Sequence, residues 1–152
     1  MFNKIMVPTD LSNRSLEALK YAVDLANKYN AKITLLHVVE RFLNKEEMVM
    51  LRVSASDFEE MQKQMALSAK EIMEDALKRI GAPDVEHKLL LREGSKPHRV
   101  IMKTAQEEGM DLIVITTNGR TGLDEDLLGS NAERIVRHCR VPVLTIRVDE
   151  ED

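Results

Sequence analysis

The chain has 152 residues, of which 43% are apolar, 32% charged and 3% aromatic, and its formal net charge is −4. This length suits one ordinary domain, and the composition excludes a disordered chain and, with no run near the roughly 20 apolar residues that a span needs, a membrane helix. The negative charge and scarce aromatic rings argue against nucleic acid as a partner, because phosphates and bases are bound by clustered basic groups and stacking rings.

The first 55 residues predict two strands, a helix and one irregular segment. A strand over residues 4–7 is followed by a helix that Ser12 can cap, in which apolar residues recur every three or four positions as far as Tyr29. A second strand covers residues 33–39. Residues 40–55 mix apolar and charged side chains. We expect a loop with a short helix there that packs on the domain, with a lid or a dimer contact as alternatives.

A long amphipathic helix is predicted next. Ser56, with Glu59 three residues later, has the pattern of a capping box, and Gly81 is a typical end for this helix. A strand over residues 85–91 follows. After it comes a helix that has Pro97 in its first turn, where a missing backbone N–H does no harm.

The C-terminal part predicts two strands and a helix. The run over residues 112–116 is apolar without alternation, which is typical of a strand covered on both faces. A helix starts at Ser130, where Glu133 completes a second capping-box pattern. A last strand covers residues 143–148, and the acidic residues 149–152 form a tail.

This alternation of strands and helices predicts one α/β domain over residues 1–148. Strands separated by helices pair in parallel, and the helices cover both faces of the sheet. We expect a doubly wound, five-stranded parallel sheet with flavodoxin-like winding and strand order 3-2-1-4-5. In such sheets ligands bind at the carboxyl ends of the strands, where the winding direction reverses.

A glycine-containing loop joins the fourth strand to the last helix. Gly119 and Gly122 would let the backbone approach a bound group closely, and Gly129-Ser130 stands at the start of the helix. The free N–H groups of a helix N-terminus attract anions, so this region predicts a phosphate site. The alternative is structural, because Ser130 with Glu133 can cap a helix without any ligand and glycines also serve simple turns.

Several motifs together resemble those of the universal stress protein family. The nucleotide-binding members carry G-x2-G-x9-G-[ST] after the fourth strand, and Gly119, nine further residues and Gly129-Ser130 reproduce its last part. Two more stretches match, namely Ile-Met-Val-Pro-Thr-Asp-Leu-Ser from residue 5 and Leu-Leu-His-Val from residue 35. The resemblance covers essentially the whole chain and is weakest over residues 40–55.

The resemblance implies an adenine nucleotide, ATP in the members that hold it, at the carboxyl ends of the strands. It implies that one set of residues surrounds the adenosine: Pro8, Thr9, Asp10 and Val38. It implies that the glycine loop and the start of the helix surround the phosphates: Thr116, Asn118, Gly119, Arg120, Gly122, Gly129, Ser130 and Asn131. Without the resemblance, Asp10 also suits the turn after the first strand and Val38 suits the core.

Two departures from the family pattern weaken the phosphate half of this prediction. Thr116 stands where the motif has its first glycine, and Asp124, Glu125 and Asp126 lie between the remaining glycines with only Arg120 to offset them. Like charges about 4 Å apart repel by roughly 1 kcal/mol in water and roughly 4 kcal/mol at an effective dielectric constant of 20. A bound Mg²⁺ or Mn²⁺ would reverse the sign of this interaction.

The rest of the sequence carries no assembled catalytic motif, so we expect a protein that is not an enzyme. The alternative is slow ATP hydrolysis, although nothing resembles a base for the attacking water. The four histidines lack the spacing of metal ligands, and each is expected on the surface or in the core: His37, His87, His98 and His138. A single cysteine, Cys139, and an N-terminus too short for a signal peptide predict a cytoplasmic protein.

The last strand is expected at an edge of the sheet, and exposed edges need pairing or protection. The resemblance implies that residues 143–148 pair with their copy in a homodimer, whereas Arg147 and the acidic tail could also guard the edge. We therefore expect a dimeric regulatory module that binds ATP or another adenine nucleotide and acts on a protein partner of unknown identity. The alternative is a dimeric interaction module of the same family that binds no nucleotide.

Overall fold

The computed structural model describes residues 1–39, 44–82, 84–117 and 130–148. The elements follow in chain order: β1 Lys4–Thr9, α1 Asn13–Leu16, α2 Ala18–Tyr29, β2 Lys32–Val39, α3 Lys45–Met50, α4 Ala55–Ile80, β3 His87–Glu93, α5 Pro97–Glu107, β4 Leu112–Thr117, α6 Ser130–His138 and β5 Val143–Arg147. Some residues of the predicted phosphate site and of the tail lie outside the described residues: Asn118, Gly119, Arg120, Gly122, Gly129 and 149–152.

The five strands form one sheet in the order β3-β2-β1-β4-β5, with every neighbouring pair parallel. This confirms the predicted strand order and flavodoxin-like winding. The chain moves from β1 to β2 and β3 on one side and then crosses to β4 and β5 on the other. The winding therefore reverses between β1 and β4, which is where a ligand crevice is expected.

Two separate cores cover the two faces of the sheet. Leu35 and Leu36 are adjacent in β2 and both fully buried, but they belong to different cores. The core around Leu35 is closed by side chains of α2 and α4: Ala18, Leu19, Ala22, Met73 and Leu77. The core around Leu36 is closed by side chains of α5 and α6: Ile101, Ala105, Ala132 and Ile135. Burial on both faces explains why these strands lack apolar alternation.

The helix starts differ in detail from the predictions. Ser12 caps α1 as expected, since its hydroxyl accepts a hydrogen bond from the Ser15 N–H at 3.2 Å. The expected single helix is interrupted at Glu17, which separates α1 from α2. The prediction that Ser56 begins α4 was wrong, because Ser54 has the extended backbone of an N-cap and accepts from the Asp57 N–H at 3.1 Å.

One strand boundary was shifted. The third strand begins at His87 rather than at residue 85, because Val85 is buried in the core without joining the ladder of β3. The predicted start of the last helix at Ser130 is confirmed by α6. The expected short helix in the segment over residues 40–55 is present as α3.

The longest helix, α4, is buried over only part of its length. It has 26 residues, and its buried side chains all lie in the C-terminal half: Ala69, Met73, Ala76 and Leu77. Gly81, with φ of 70°, ends the helix in the left-handed conformation that glycine adopts without strain. No helix within the described part of the chain is both long enough and apolar enough to cross a bilayer.

Candidate functional site

A cleft of about 500 Å³ opens at the carboxyl ends of β1, β2 and β4, beside the start of α6. It brings together every predicted nucleotide-binding residue that lies within the described ranges: Pro8, Thr9, Asp10, Val38, Thr116, Ser130 and Asn131. These residues come from three strand ends and one helix start, far apart in sequence. The cleft lies where the winding reverses, as the sheet order requires.

The loop after β1 is fixed by hydrogen bonds of Thr9. Its buried hydroxyl lies 2.6 Å from the Ser15 hydroxyl and accepts a bond from the Leu11 N–H at 2.9 Å. Leu11 has φ of 70°, an uncommon left-handed backbone for a residue with a large side chain. The Thr9 bonds hold the loop in this conformation, so its shape is set before any ligand binds.

Asp10 has a local role in the same loop. Its Oδ1 accepts a hydrogen bond from the Ser12 N–H at 2.9 Å and another from the Ser12 hydroxyl. This is the turn-forming arrangement that aspartate makes with the residue two positions on. The turn also places the half-buried Asp10 carboxylate on the wall of the cleft, where it can accept hydrogen bonds from ligand hydroxyl groups.

His37 belongs to the cleft, contrary to the expectation that it is surface or core. It pairs with Thr9 across β1 and β2, and its Nδ1 lies 2.9 Å from the Thr9 carbonyl oxygen. Because a carbonyl oxygen only accepts, Nδ1 carries the proton, and in the neutral ring Nε2 is then an acceptor. The signal in the sequence was its position beside Val38 at the carboxyl end of a strand.

The deep part of the cleft is apolar. Val38 is 9% exposed and serves both as core and as a wall of the cleft. Other apolar lining residues were not predicted: Leu36, Met65, Pro97, Ile101, Ile115 and Ile135. An apolar floor with polar groups at the rim suits a ligand with a flat, weakly polar ring at one end and polar groups at the other.

Thr116 and the first residues of α6 form the polar side of the cleft. Thr116 is half-buried, next to the last residue of β4, and paired with Ile146 of β5. The β-branched residue that replaces the first motif glycine therefore does border the cleft. Ser130 and Asn131 are exposed at the N-terminus of α6, where free backbone N–H groups favour anions.

Asn131 also contacts a histidine behind the cleft. Burial lowers the pKa of the His98 imidazole, the guanidinium of Arg134 lowers it further, and a hydrogen bond with the Asn131 side chain opposes both. His98 is 8% exposed, and the cost of burying a charge disfavours its protonated ring.

Metal ligands are not gathered anywhere in the described part of the chain. Within residues 1–39, 44–82, 84–117 and 130–148, no three side chains of histidine, cysteine, aspartate or glutamate lie close enough together to hold an ion. Any divalent ion bound by these residues would have to share its coordination with a ligand such as a phosphate chain.

Comparison with known proteins identifies relatives of this chain by sequence and by fold. The model of the universal stress protein family matches residues 1–147. Universal stress protein MJ0577 of Methanocaldococcus jannaschii is 32% identical over 156 residues, which cover 97% of this chain and 96% of that protein. The solved structure of MJ0577 has a TM-score of 0.79 to this chain at 29% identity and covers 99% of both chains.

Two more distant solved structures share the fold. One is a universal stress protein family member from Arabidopsis thaliana with AMP bound, at 23% identity and a TM-score of 0.62, covering 97% of this chain and 92% of its own. The other is a universal stress protein in complex with cAMP, at 21% identity and a TM-score of 0.66, covering 96% of this chain and 97% of its own.

Proposed function

This chain belongs to the universal stress protein family, and on that basis we propose that it binds an adenine nucleotide in the cleft at the carboxyl ends of β1, β2 and β4. The observation that carries the proposal is the convergence of the family's binding positions: Pro8, Thr9, Asp10, Val38, Ser130 and Asn131 line one cleft of about 500 Å³. That volume lies within the range of small-molecule sites.

The two ends of the cleft suit the two ends of a nucleotide. The adenine ring lies against the apolar floor near Val38, and the ribose hydroxyls donate to the Asp10 carboxylate. The phosphate lies at the N-terminus of α6, beside the Ser130 hydroxyl. AMP and cAMP in two proteins of the same fold support an adenine ligand of this size.

Binding of ATP requires the site to accommodate more negative charge than binding of AMP does. A triphosphate is strongly anionic, and the sequence between β4 and α6 contains Asp124, Glu125 and Asp126. A Mg²⁺ or Mn²⁺ ion that enters with the phosphates would offset this repulsion, because hard cations are bound by phosphate and carboxylate oxygens together. We therefore propose that the protein binds ATP with a divalent ion and AMP without one.

Titration calorimetry at near-physiological salt tests the nucleotide proposal. We expect micromolar binding of AMP, and binding of ATP that becomes tighter when Mg²⁺ is added, because the cation screens the triphosphate from the acidic loop. The protein must first be freed of any ligand carried through purification. Absence of heat and of thermal stabilisation with both nucleotides at millimolar concentration would contradict the proposal and favour a module that binds no nucleotide.

We propose further that the protein is a regulatory dimer in the cytoplasm and not an enzyme. Nucleotide binding would act on a partner protein through the surface around the cleft. Slow ATP hydrolysis is the weaker alternative, and release of phosphate from ATP above the rate in buffer would favour it. The specific observation that favours an interaction module without nucleotide is Thr116, which borders the cleft where the motif has glycine.

The edge strand β5 supports the dimer. Among the described strands it pairs only with β4 and stands at the edge of the sheet, where a second copy of the strand could join it. Leu144 is 37% exposed on this strand, whereas Ile146 is buried. An exposed apolar residue on an edge strand suits a contact between copies.

Replacing Leu144 by aspartate is expected to convert the dimer to a monomer. The substitution removes apolar area from the contact and places a charge in each copy of the strand, so the two charges meet across the interface. Analytical ultracentrifugation across a range of concentrations measures the change. Tyr21→Asp on α2, where the side chain is 49% exposed, is the matched control. A monomeric unchanged protein, or a control that dissociates equally, would contradict the assignment of β5.

A further inference from the structure

A second concave site lies between α5 and α6, outside the nucleotide cleft. Its volume is about 400 Å³. We call it the basic hollow, and six of the described residues line it: Lys96, His98, Arg99, Met102, Arg134 and His138. None of the six lines the cleft, and none is acidic. The basic hollow therefore combines three permanent positive charges and two imidazoles in one depression.

The cations of the basic hollow differ from their neighbours on the same helices. Lys103 Nζ of α5 lies 3.8 Å from Glu107 Oε1, and Arg137 Nη2 of α6 lies 3.0 Å from Glu133 Oε1. Within the described ranges, Lys96, Arg99 and Arg134 form no such ion pair. Lys103 and Arg137 outside the hollow thus have acidic partners, whereas among the described residues the three cations that line it have none.

The start of α5 adds to this positive potential. The N-cap residue Lys96 makes no side-chain capping bond, and the first turn contains no acidic residue. The N-terminus of a helix carries a partial positive charge that aspartate or glutamate usually offsets. Here Lys96 and Arg99 stand at that end instead. Such an arrangement is unfavourable unless an anion occupies the space in front of the helix.

His98 supplies an independent observation. Its side chain lines the basic hollow and is 8% exposed, yet its buried Nδ1 has no hydrogen-bond partner among the residues that the structure describes. Buried polar atoms are almost always paired, and an unpaired one requires an explanation. A bound oxyanion would place a counter-charge beside this ring and favour its charged form.

From these four features we propose that the basic hollow binds a phosphate group, either as free phosphate or as the phosphate of a small phosphomonoester. Two arginines and a lysine suit a doubly charged oxyanion, because guanidinium groups donate paired hydrogen bonds to its oxygens. A water molecule takes roughly 30 Å³ of the liquid. A hollow of about 400 Å³ therefore has room for a phosphate that carries a small substituent.

The site goes beyond the proposed nucleotide function and is connected to it by one contact. His98 lines the basic hollow, Asn131 lines the cleft, and the Asn131 side chain raises the pKa of the His98 imidazole against the larger lowering effect of burial. A phosphate that favours the charged ring would therefore act on a residue that interacts with the polar side of the cleft. The basic hollow is thereby placed to communicate with the start of α6.

The four histidines allow the two sites to be observed separately by NMR. His37 lies in the cleft, His98 and His138 line the basic hollow, and His87 Nδ1 lies 2.9 Å from the carbonyl oxygen of Val85, just before β3. On titration of the nucleotide-free protein with inorganic phosphate, we expect saturable shifts of the His98 and His138 ring signals and none at His87. Shifts confined to His37, or shifts that equal those from chloride at the same ionic strength, would overturn the proposal whether or not nucleotide binds.

Two double variants give a matched comparison of phosphate affinity. R99Q/R134Q removes two charges that line the basic hollow, and K103Q/R137Q removes two charges from the same helices outside it. The first should weaken phosphate binding by roughly tenfold or more, since charge-assisted hydrogen bonds are lost. The second should leave it nearly unchanged. Equal weakening by both would show general attraction to a basic surface and would refute a specific site.

Comparing inorganic phosphate with glycerol phosphate identifies the source of the group. Equal affinity would indicate that the phosphate group alone is recognised, and tighter binding of glycerol phosphate would indicate a phosphomonoester ligand. Failure of both to bind at millimolar concentration would overturn the proposal.

Discussion

A glutamate in place of Ser130 is expected to weaken the binding of AMP by about fivefold or more while leaving the binding of adenosine nearly unchanged. Ser130 is the first residue of α6 and borders the cleft, so the new carboxylate would stand beside the expected position of the phosphate. Like charges about 4 Å apart repel by roughly 1 to 4 kcal/mol between bulk water and a protein surface, and each 1.4 kcal/mol corresponds to a factor of about ten.

The comparison between AMP and adenosine makes this experiment specific. Loss of binding of both AMP and adenosine would indicate a distorted cleft. Loss of AMP binding alone would locate the phosphate at the start of α6. Ser56→Glu is the matched control, because Ser56 is exposed in the first turn of α4 and does not line the cleft. Calorimetry on both variants, with circular dichroism to verify folding, measures the effect. Unchanged AMP affinity in a folded Ser130→Glu protein would refute this placement of the phosphate.

Truncating either of the neighbouring residues Leu35 and Leu36 to alanine is expected to lower the free energy of unfolding by about 2 to 5 kcal/mol. Both side chains are fully buried, so each substitution leaves a cavity in one of the two cores. Single domains are stable by only about 5 to 15 kcal/mol, so either loss is a large fraction of the total. Urea unfolding should show lower midpoints with unchanged slopes.

The two variants should differ in nucleotide affinity. Leu36 lines the cleft, whereas Leu35 faces the opposite core under α2 and α4. Leu36→Ala should therefore also weaken AMP binding, and Leu35→Ala should not, when both are measured at a temperature where the proteins remain folded. Equal weakening by the two substitutions would mean that the floor of the cleft does not contact the ligand.

The sequence was sufficient for the architecture because burial on two faces leaves a simple pattern. Uninterrupted apolar runs such as Leu112–Thr117 mark strands of a parallel sheet, and helices between them leave few ways to connect it. The boundaries of individual helices and strands were predicted less well. Ser54 and Ser56 both have hydroxyl groups suited to a cap, and the choice depends on which backbone is extended. Val85 is apolar because it packs in the core, although it does not pair with a neighbouring strand.

The candidate site was predictable only where a motif marked it. Ser130 was found from a local pattern and Asp10 from the family resemblance. His37 was missed, because its position beside Val38 does not by itself show that β1 ends next to it. The basic hollow is a stronger example. Arg99 and Arg134 are far apart in the chain, and only the packing of α5 on α6 brings them to one depression.

The uneven burial of α4 predicts that its N-terminal half unfolds locally more easily than its C-terminal half. At 1.5 Å per residue the helix is about 39 Å long, but its buried side chains begin only at Ala69. The N-terminal half therefore contributes fewer buried side chains than the C-terminal half, which packs on the sheet. We expect the two halves to belong to different cooperative units, so that amide protons before Ala69 exchange by local fraying more readily than those after it. Met65, which reaches the cleft from that half, makes one wall of the ligand site part of the less stable unit.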